Sequence, residues 1–156
     1  MSESQLTDFD VLVNGAGLVG SCCALLLARS GIHVAILDKD HPSKEVNLDP
    51  IRVSALNHAS QNILEHLCVW RDIAWDKSTA FERIEVWDAL SNGTISFDAA
   101  AAGLSHLGHI VANNSVCTAL HRALGHCAEA VVRFGEHPVD IESSDSCITV
   151  TLAGGE

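Results

Sequence analysis

Residues 15–20 read Gly-Ala-Gly-Leu-Val-Gly, directly after the apolar run Val11-Leu12-Val13. No other feature restricts the fold of this chain as much. Residues 18–30 (LVGSCCALLLARS) have helical length and composition, and Gly31 stands where a helix stops. Ile32-His33-Val34-Ala35-Ile36-Leu37 is then a second strand, rich in β-branched residues and ending at Asp38. The Gly-x-Gly-x-x-Gly spacing alone matches many turns. Strand, glycine turn, helix, strand and acid in that order describe a βαβ unit that takes the ADP half of a dinucleotide.

The chemistry follows from the residue types. Gly15 permits a tight exit from the strand, and Gly17, after Ala16, lets the backbone approach a pyrophosphate. Gly20 lets the helix pack closely on the strand. The N–H groups of Leu18 and Val19, unpaired at the start of the helix, would hold the phosphate charge together with the helix dipole. Asp38, eighteen residues after Gly20, is spaced to accept hydrogen bonds from the adenosine ribose. A carboxylate there favours a free 2′-hydroxyl, so FAD or NAD ranks ahead of NADP. A plain βαβ unit with a surface aspartate would share this spacing, and the motif does not separate FAD from NAD.

The chain has 156 residues, enough for one well-buried domain, and is 47% hydrophobic and 19% charged, which is a globular composition. A net charge of −11 argues against nucleic acid as a partner, because phosphate backbones demand a basic face. No apolar run has the length of a membrane span, and the polar start MSESQLTDFD is unlike a signal peptide, so a cytoplasmic location is expected. The six cysteines form no C-x-x-C pair, and the nine histidines show no ligand spacing with an acid or cysteine. No metal site is expected. His106, His109, His121 and His126 read as ordinary surface or half-buried side chains.

Residues 39–50, with Pro42 and Pro50, read as a long surface loop. Ser54 is a plausible start for a helix whose apolar residues are Ala59, Ile63, Leu64 and Leu67. Residues 81–89 alternate as one strand, Ser91-Asn92-Gly93 signals a hairpin, and residues 94–97 return. This pair, within residues 81–98, reads as an excursion into a second, antiparallel sheet. Residues 109–112 form another strand, and Asn113 or Asn114 caps a helix with the stripe Val116, Leu120, Ala123, Leu124 and Cys127. A third parallel strand follows over 130–134, then a hairpin over 139–152. The final Ala153-Gly154-Gly155-Glu156 is a turn that calls for a further strand, as in a truncated chain. The expected fold is α/β: a Rossmann-like parallel sheet with β-hairpin excursions, residues 1–156 forming the N-terminal portion of a larger domain.

Three further blocks carry a family resemblance. They are Ile51-Arg52-Val53-Ser54-Ala55-Leu56-Asn57 with Ala59-Ser60, then Ile84-Glu85-Val86-Trp87-Asp88 with Ile95-Ser96-Phe97-Asp98, then Ser105-His106-Leu107-Gly108-His109-Ile110-Val111. With the glycine turn they resemble the N-terminal part of the FAD-dependent aromatic hydroxylases of ubiquinone biosynthesis, the bacterial 2-octaprenylphenol hydroxylase group in particular. The resemblance covers essentially the whole chain. It implies a sheet of the glutathione-reductase type, with the residue 81–98 excursion on the substrate side. It also implies FAD as cofactor, with Gly15, Ala16, Gly17, Leu18, Val19 and Gly20 at the pyrophosphate and Asp38 at the ribose. Arg52 falls near the flavin side, where a guanidinium can pair with phosphate through two hydrogen bonds. Asn113 falls beside the ribityl chain, although a plain N-cap would look the same.

Such enzymes use NAD(P)H and dioxygen to hydroxylate a polyprenylated phenol, with the flavin supplying the oxidative chemistry. A polyprenyl chain implies contact with a membrane surface or with other ubiquinone-biosynthesis proteins. The chain also departs from its relatives. Ala112 stands where many have glutamate, Cys68 where many have glycine, and Asp38 where glutamate is usual. The family's second Asp-Gly and later Gly-Asp motifs are not in these residues, so the chain is expected to be inactive alone. A separate NAD-binding domain or a non-catalytic accessory fragment would show the same glycine turn.

Overall fold

A computed structural model describes residues 8–42, 52–73 and 78–153. In chain order the elements begin β1 (Val11–Asn14), α1 (Leu18–Arg29), β2 (Val34–Asp38), β3 (Val53–Asn57), α2 (His58–His66) and β4 (Ser78–Phe81). They continue β5 (Arg83–Trp87), β6 (Thr94–Asp98), β7 (Gly108–Ala112), α3 (Asn113–Gly125), β8 (Ala130–Phe134), β9 (Pro138–Ser143) and β10 (Ile148–Leu152). The chain divides into two units, residues 1–46 with 120–156 and residues 47–119.

In the first unit β1, β2 and β8 form a parallel sheet with β2 in the centre. Val11 pairs with Val34, and Asp38 at the far end of β2 pairs with Phe134. Val34, Ala35, Ile36 and Leu37 are buried in succession, which is the pattern of a central parallel strand covered on both faces. Each of the larger side chains contributes about 1.5–3 kcal/mol by leaving water. Helix α1 packs on this sheet with Ala24, Leu25 and Ala28 buried. It ends in a Schellman motif: Gly31 takes a left-handed φ of 83°, its N–H donates to the Ala28 carbonyl, and the Ile32 N–H donates to that of Leu27. The hairpin β9–β10 completes the unit, as its polar Ser143-Ser144-Asp145-Ser146 turn anticipates.

In the second unit β7 lies between β3 and β4, antiparallel to both, and β5–β6 is a separate hairpin. Two expectations are corrected here. Ser54 does not start a helix; it lies within β3, opposite Val111 of β7. The cap is Asn57, whose side-chain oxygen accepts the Ser60 N–H at 3.0 Å. Residues 81–89 are likewise not one strand. Phe81 ends β4 against Gly108, while the Glu82 carbonyl already accepts the Ala99 N–H, so the chain changes sheets at Glu82.

The β5–β6 hairpin carries a cross-strand pair, Arg83 to Asp98 at 3.0 Å, that holds the Asp98 carboxyl below the usual carboxylate range. Its turn is organised by Asp88, which accepts the Leu90 N–H and the Ser91 hydroxyl. Helix α3 begins at Asn113 and buries Val116, Ala119, Leu120 and Leu124. Ala123 is half-buried, and Cys127 lies beyond the end of the helix. Most of the expected loop over 39–50 lies outside the described residues.

Candidate functional site

The glycine turn is built by the end of β1. The Gly15 N–H donates to the Leu37 carbonyl at 2.7 Å, tying the turn to the last residues of β2. Gly15 has a φ of 109°, which a side chain would strain. A methyl group at Gly20 would run into the Gly15 carbonyl, so α1 can start this close to the turn only with glycine there. Gly17 is the N-cap of α1, and no side chain caps it. The first turn of α1 carries no acidic residue, and Val19 is 83% exposed. The first-turn N–H groups of Leu18 and Val19 have no helical acceptor. Beyond Gly17 the space is open, since a Cβ there would meet nothing within 4 Å. An uncapped helix start with a free approach and no competing carboxylate is suited to a pyrophosphate.

Ala16, between the two glycines, is held on both sides of its backbone. Its N–H donates to Asp38 Oδ2 at 2.7 Å. Its carbonyl accepts the Ser21 hydroxyl at 2.9 Å and His121 Nε2 at 2.7 Å. The other oxygen of Asp38 accepts the Asp40 N–H at 3.0 Å. A carboxylate oxygen accepts more than one hydrogen bond, so Asp38 keeps capacity for ribose hydroxyls. The structure therefore brings Asp38 to the glycine turn, through a bond that the spacing alone did not show. Ser21 and His121 were not singled out for this place. Ser21 is five residues from Ala16 and hidden within an apolar helix, and His121 is separated from Ala16 by 105 residues with no local signal linking them.

In the second unit the structure joins Arg52 and Asn113. The Asn113 N–H donates to the Arg52 carbonyl at 2.9 Å, and the Ser54 hydroxyl donates to Asn113 Oδ1 at 2.7 Å. The Asn113 amide NH2 remains available as a donor, and the Arg52 side chain is exposed. His106 lies between His58, with ring centroids 4.6 Å apart and tilted by 41°, and His109, which it meets edge-on at 4.7 Å, and Trp70 meets His109 edge-on at 5.2 Å. Burial pushes the His109 imidazole below its ordinary value of 6.5, and the neighbouring charges of His106 and His58 add to that. Among the described residues no group of three or more His, Cys, Asp or Glu is placed to hold a metal ion.

A family profile for the FAD binding domain matches residues 8–149. The chain belongs to this family of FAD-binding domains. FAD is accordingly its cofactor. Among curated proteins this FAD-binding domain is 29% identical to the 3-demethoxyubiquinol 3-hydroxylase of Escherichia coli (strain K12), over 94% of the chain and 38% of the relative. It is 35% identical to a mitochondrial ubiquinone biosynthesis monooxygenase of Homo sapiens, over 76% of the chain and 26% of the relative. The chain thus spans well under half the length of these relatives. Its fold is similar to that of the Pseudomonas aeruginosa protein PqsL in complex with 2-aminobenzoylacetate, with a TM-score of 0.73 and 18% identity, over 95% of the chain and 40% of that structure.

Proposed function

We propose that this chain is the N-terminal, ADP-gripping part of an FAD-dependent aromatic monooxygenase that hydroxylates a polyprenylated phenol in ubiquinone biosynthesis. The observation that carries this reading is Asp38 bonded to Ala16 beside an uncapped helix start, within a chain of the FAD-binding family. The substrate class is supported by the relatives, a 3-demethoxyubiquinol 3-hydroxylase and a ubiquinone biosynthesis monooxygenase. NAD(P)H is the reductant in this reading, and dioxygen is the oxygen donor. Bound FAD would supply the redox chemistry that moves an oxygen atom onto the ring.

The chain's own residues would bind and orient. The backbone of Gly15, Ala16, Gly17, Leu18, Val19 and Gly20 would hold the pyrophosphate, and Asp38 would accept the ribose hydroxyls. Arg52 and Asn113 are assigned to the flavin and ribityl end of the cofactor, by resemblance. The parallel sheet of the first unit is assigned to the glutathione-reductase type, and the β5–β6 hairpin to the substrate-side sheet. A polyprenyl substrate places the enzyme at a membrane surface, peripherally, beside other proteins of the same pathway.

The test is a titration of the purified chain with FAD, ADP and NAD. FAD and ADP are expected to compete for one site, and Asp38→Ala to weaken both by about tenfold, as fits the loss of a charge-assisted hydrogen bond. Tight NAD binding with no flavin bound would overturn the reading in favour of a separate NAD-binding domain. Supplied with NADH, dioxygen and a short-chain prenylated phenol, the chain alone is expected to release no hydroxylated product. Turnover under those conditions would refute its assignment to one part of the catalytic site.

A further inference from the structure

We infer that His121 is a positioning residue for the cofactor's pyrophosphate: from α3 it locks the Ala16 peptide and so fixes the glycine turn in the form that receives the ligand. This rests on the reading of the turn as an FAD site. Ala16 is only 3% exposed, so its carbonyl needs partners from the protein. Ser21 supplies one from within α1, and His121 Nε2 supplies the other at 2.7 Å. A carbonyl oxygen only accepts, so Nε2 must carry the proton. Leucine could fill the same space at an α3 position facing a strand end, but it could not donate this bond.

The surrounding contacts make the arrangement directional. The His121 ring meets the edge of Phe134, with centroids 5.1 Å apart at 65°. Phe134 ends β8 and is paired in the sheet with Asp38 of β2. Asp38 in turn accepts the Ala16 N–H. Ala16, Asp38, Phe134 and His121 therefore close a ring of contacts that holds the peptides on both sides of Ala16, with every member in the first unit of the chain. Rotation of the Ala16–Gly17 peptide would break the bonds to Ser21 and His121 together, and rotation of the Gly15–Ala16 peptide before it would break the bond to Asp38. The N–H groups that follow it, at Leu18 and Val19, hold their direction because Ala16 cannot turn. Holding donors in place before the ligand arrives lowers the ordering cost of binding.

Three measurements test this. In the unmodified chain, nitrogen NMR of His121 is expected to show a protonated Nε2. An unprotonated Nε2 would overturn the inference, whatever the variants do. His121→Leu is expected to weaken FAD and ADP by about three- to tenfold, the worth of one net hydrogen bond, while His121→Gln, which keeps an N–H donor, stays within about twofold of the parent. Amide exchange at Ala16 is expected to accelerate in the leucine variant and not in the glutamine one. Parent-like affinity and exchange in His121→Leu would overturn the inference. So would equal losses in both variants accompanied by equal falls in Tm, since that is the mark of packing alone. A parent chain that binds neither FAD nor ADP would instead overturn the cofactor reading of the turn, and the ligand-positioning role with it.

Discussion

Gly31 and Cys68 occupy equivalent places at the ends of two helices. Both follow the C-cap residue, both have left-handed φ (83° and 52°), and both donate the inner bond of a Schellman motif. The outer bond is made by Ile32 in one case and by Val69, donating to Leu64, in the other. Glycine adopts this conformation without strain, whereas cysteine brings a Cβ that crowds the following carbonyl. Cys68→Gly is therefore expected to stabilise the chain by about 1 kcal/mol, a rise in Tm of roughly 2–4 °C, measured by thermal unfolding. Half of this was legible beforehand, since the resemblance implies glycine where this chain has Cys68. The strained conformation was not, because nothing local in Leu67-Cys68-Val69 marks a left-handed residue. Ala112, where the resemblance implies glutamate, lies half-buried at the end of β7, and nothing in the structure explains the difference.

At the scale of elements, β1, α1 and β2 were readable because each declares itself within a few residues. β-branched runs, a helix-length apolar stretch and a glycine stop all act locally. The close fit of α1 to the turn depends on Gly20. Gly20→Ala would set a methyl group against the Gly15 carbonyl, and backbone cannot swing aside as a flexible side chain can. A loss of about 1–3 kcal/mol is expected, with FAD affinity falling alongside it. Urea denaturation and flavin titration of the same variant would check both. β3 escaped notice because Val53-Ser54-Ala55-Leu56-Asn57 is short and its backbone partners lie in β7, more than fifty residues later. The β4–β5 break escaped notice for the same kind of reason. Residues 81–89 alternate evenly, and only the two different partner strands, β7 and β6, divide them.

Across the molecule, the histidines show how far tertiary placement departs from local pattern. His58, His106 and His109 come from a helix start, a loop and a strand, and their rings meet within the second unit, with His106 between the other two. The folded chain disfavours the charged form of His109, so its folded pKa lies below the ordinary 6.5. The stability this contributes is fully present above pH 6.5. It is lost as pH falls from 6.5 toward the lower folded value, because the unfolded chain takes up the proton first. Proton NMR is expected to show His109 titrating below 6.5, and His58→Ala to move that midpoint upward by removing a nearby positive charge. A midpoint unmoved in the variant would exclude the contribution of His58.

By itself the sequence determined the strand–glycine turn–helix–strand–acid unit and, through the further blocks that resemble it, the FAD-binding family. Those properties reside in residue types at short spacing, where backbone freedom, periodicity and capping act within one or two turns. Only the tertiary structure decided that His121 closes on Ala16, that Ser54 donates to Asn113, and that residues 81–89 serve two sheets. Each of those depends on a donor or a strand brought from more than twenty residues away. Such partners are chosen by sheet register and helix packing, which no local stretch of the chain encodes.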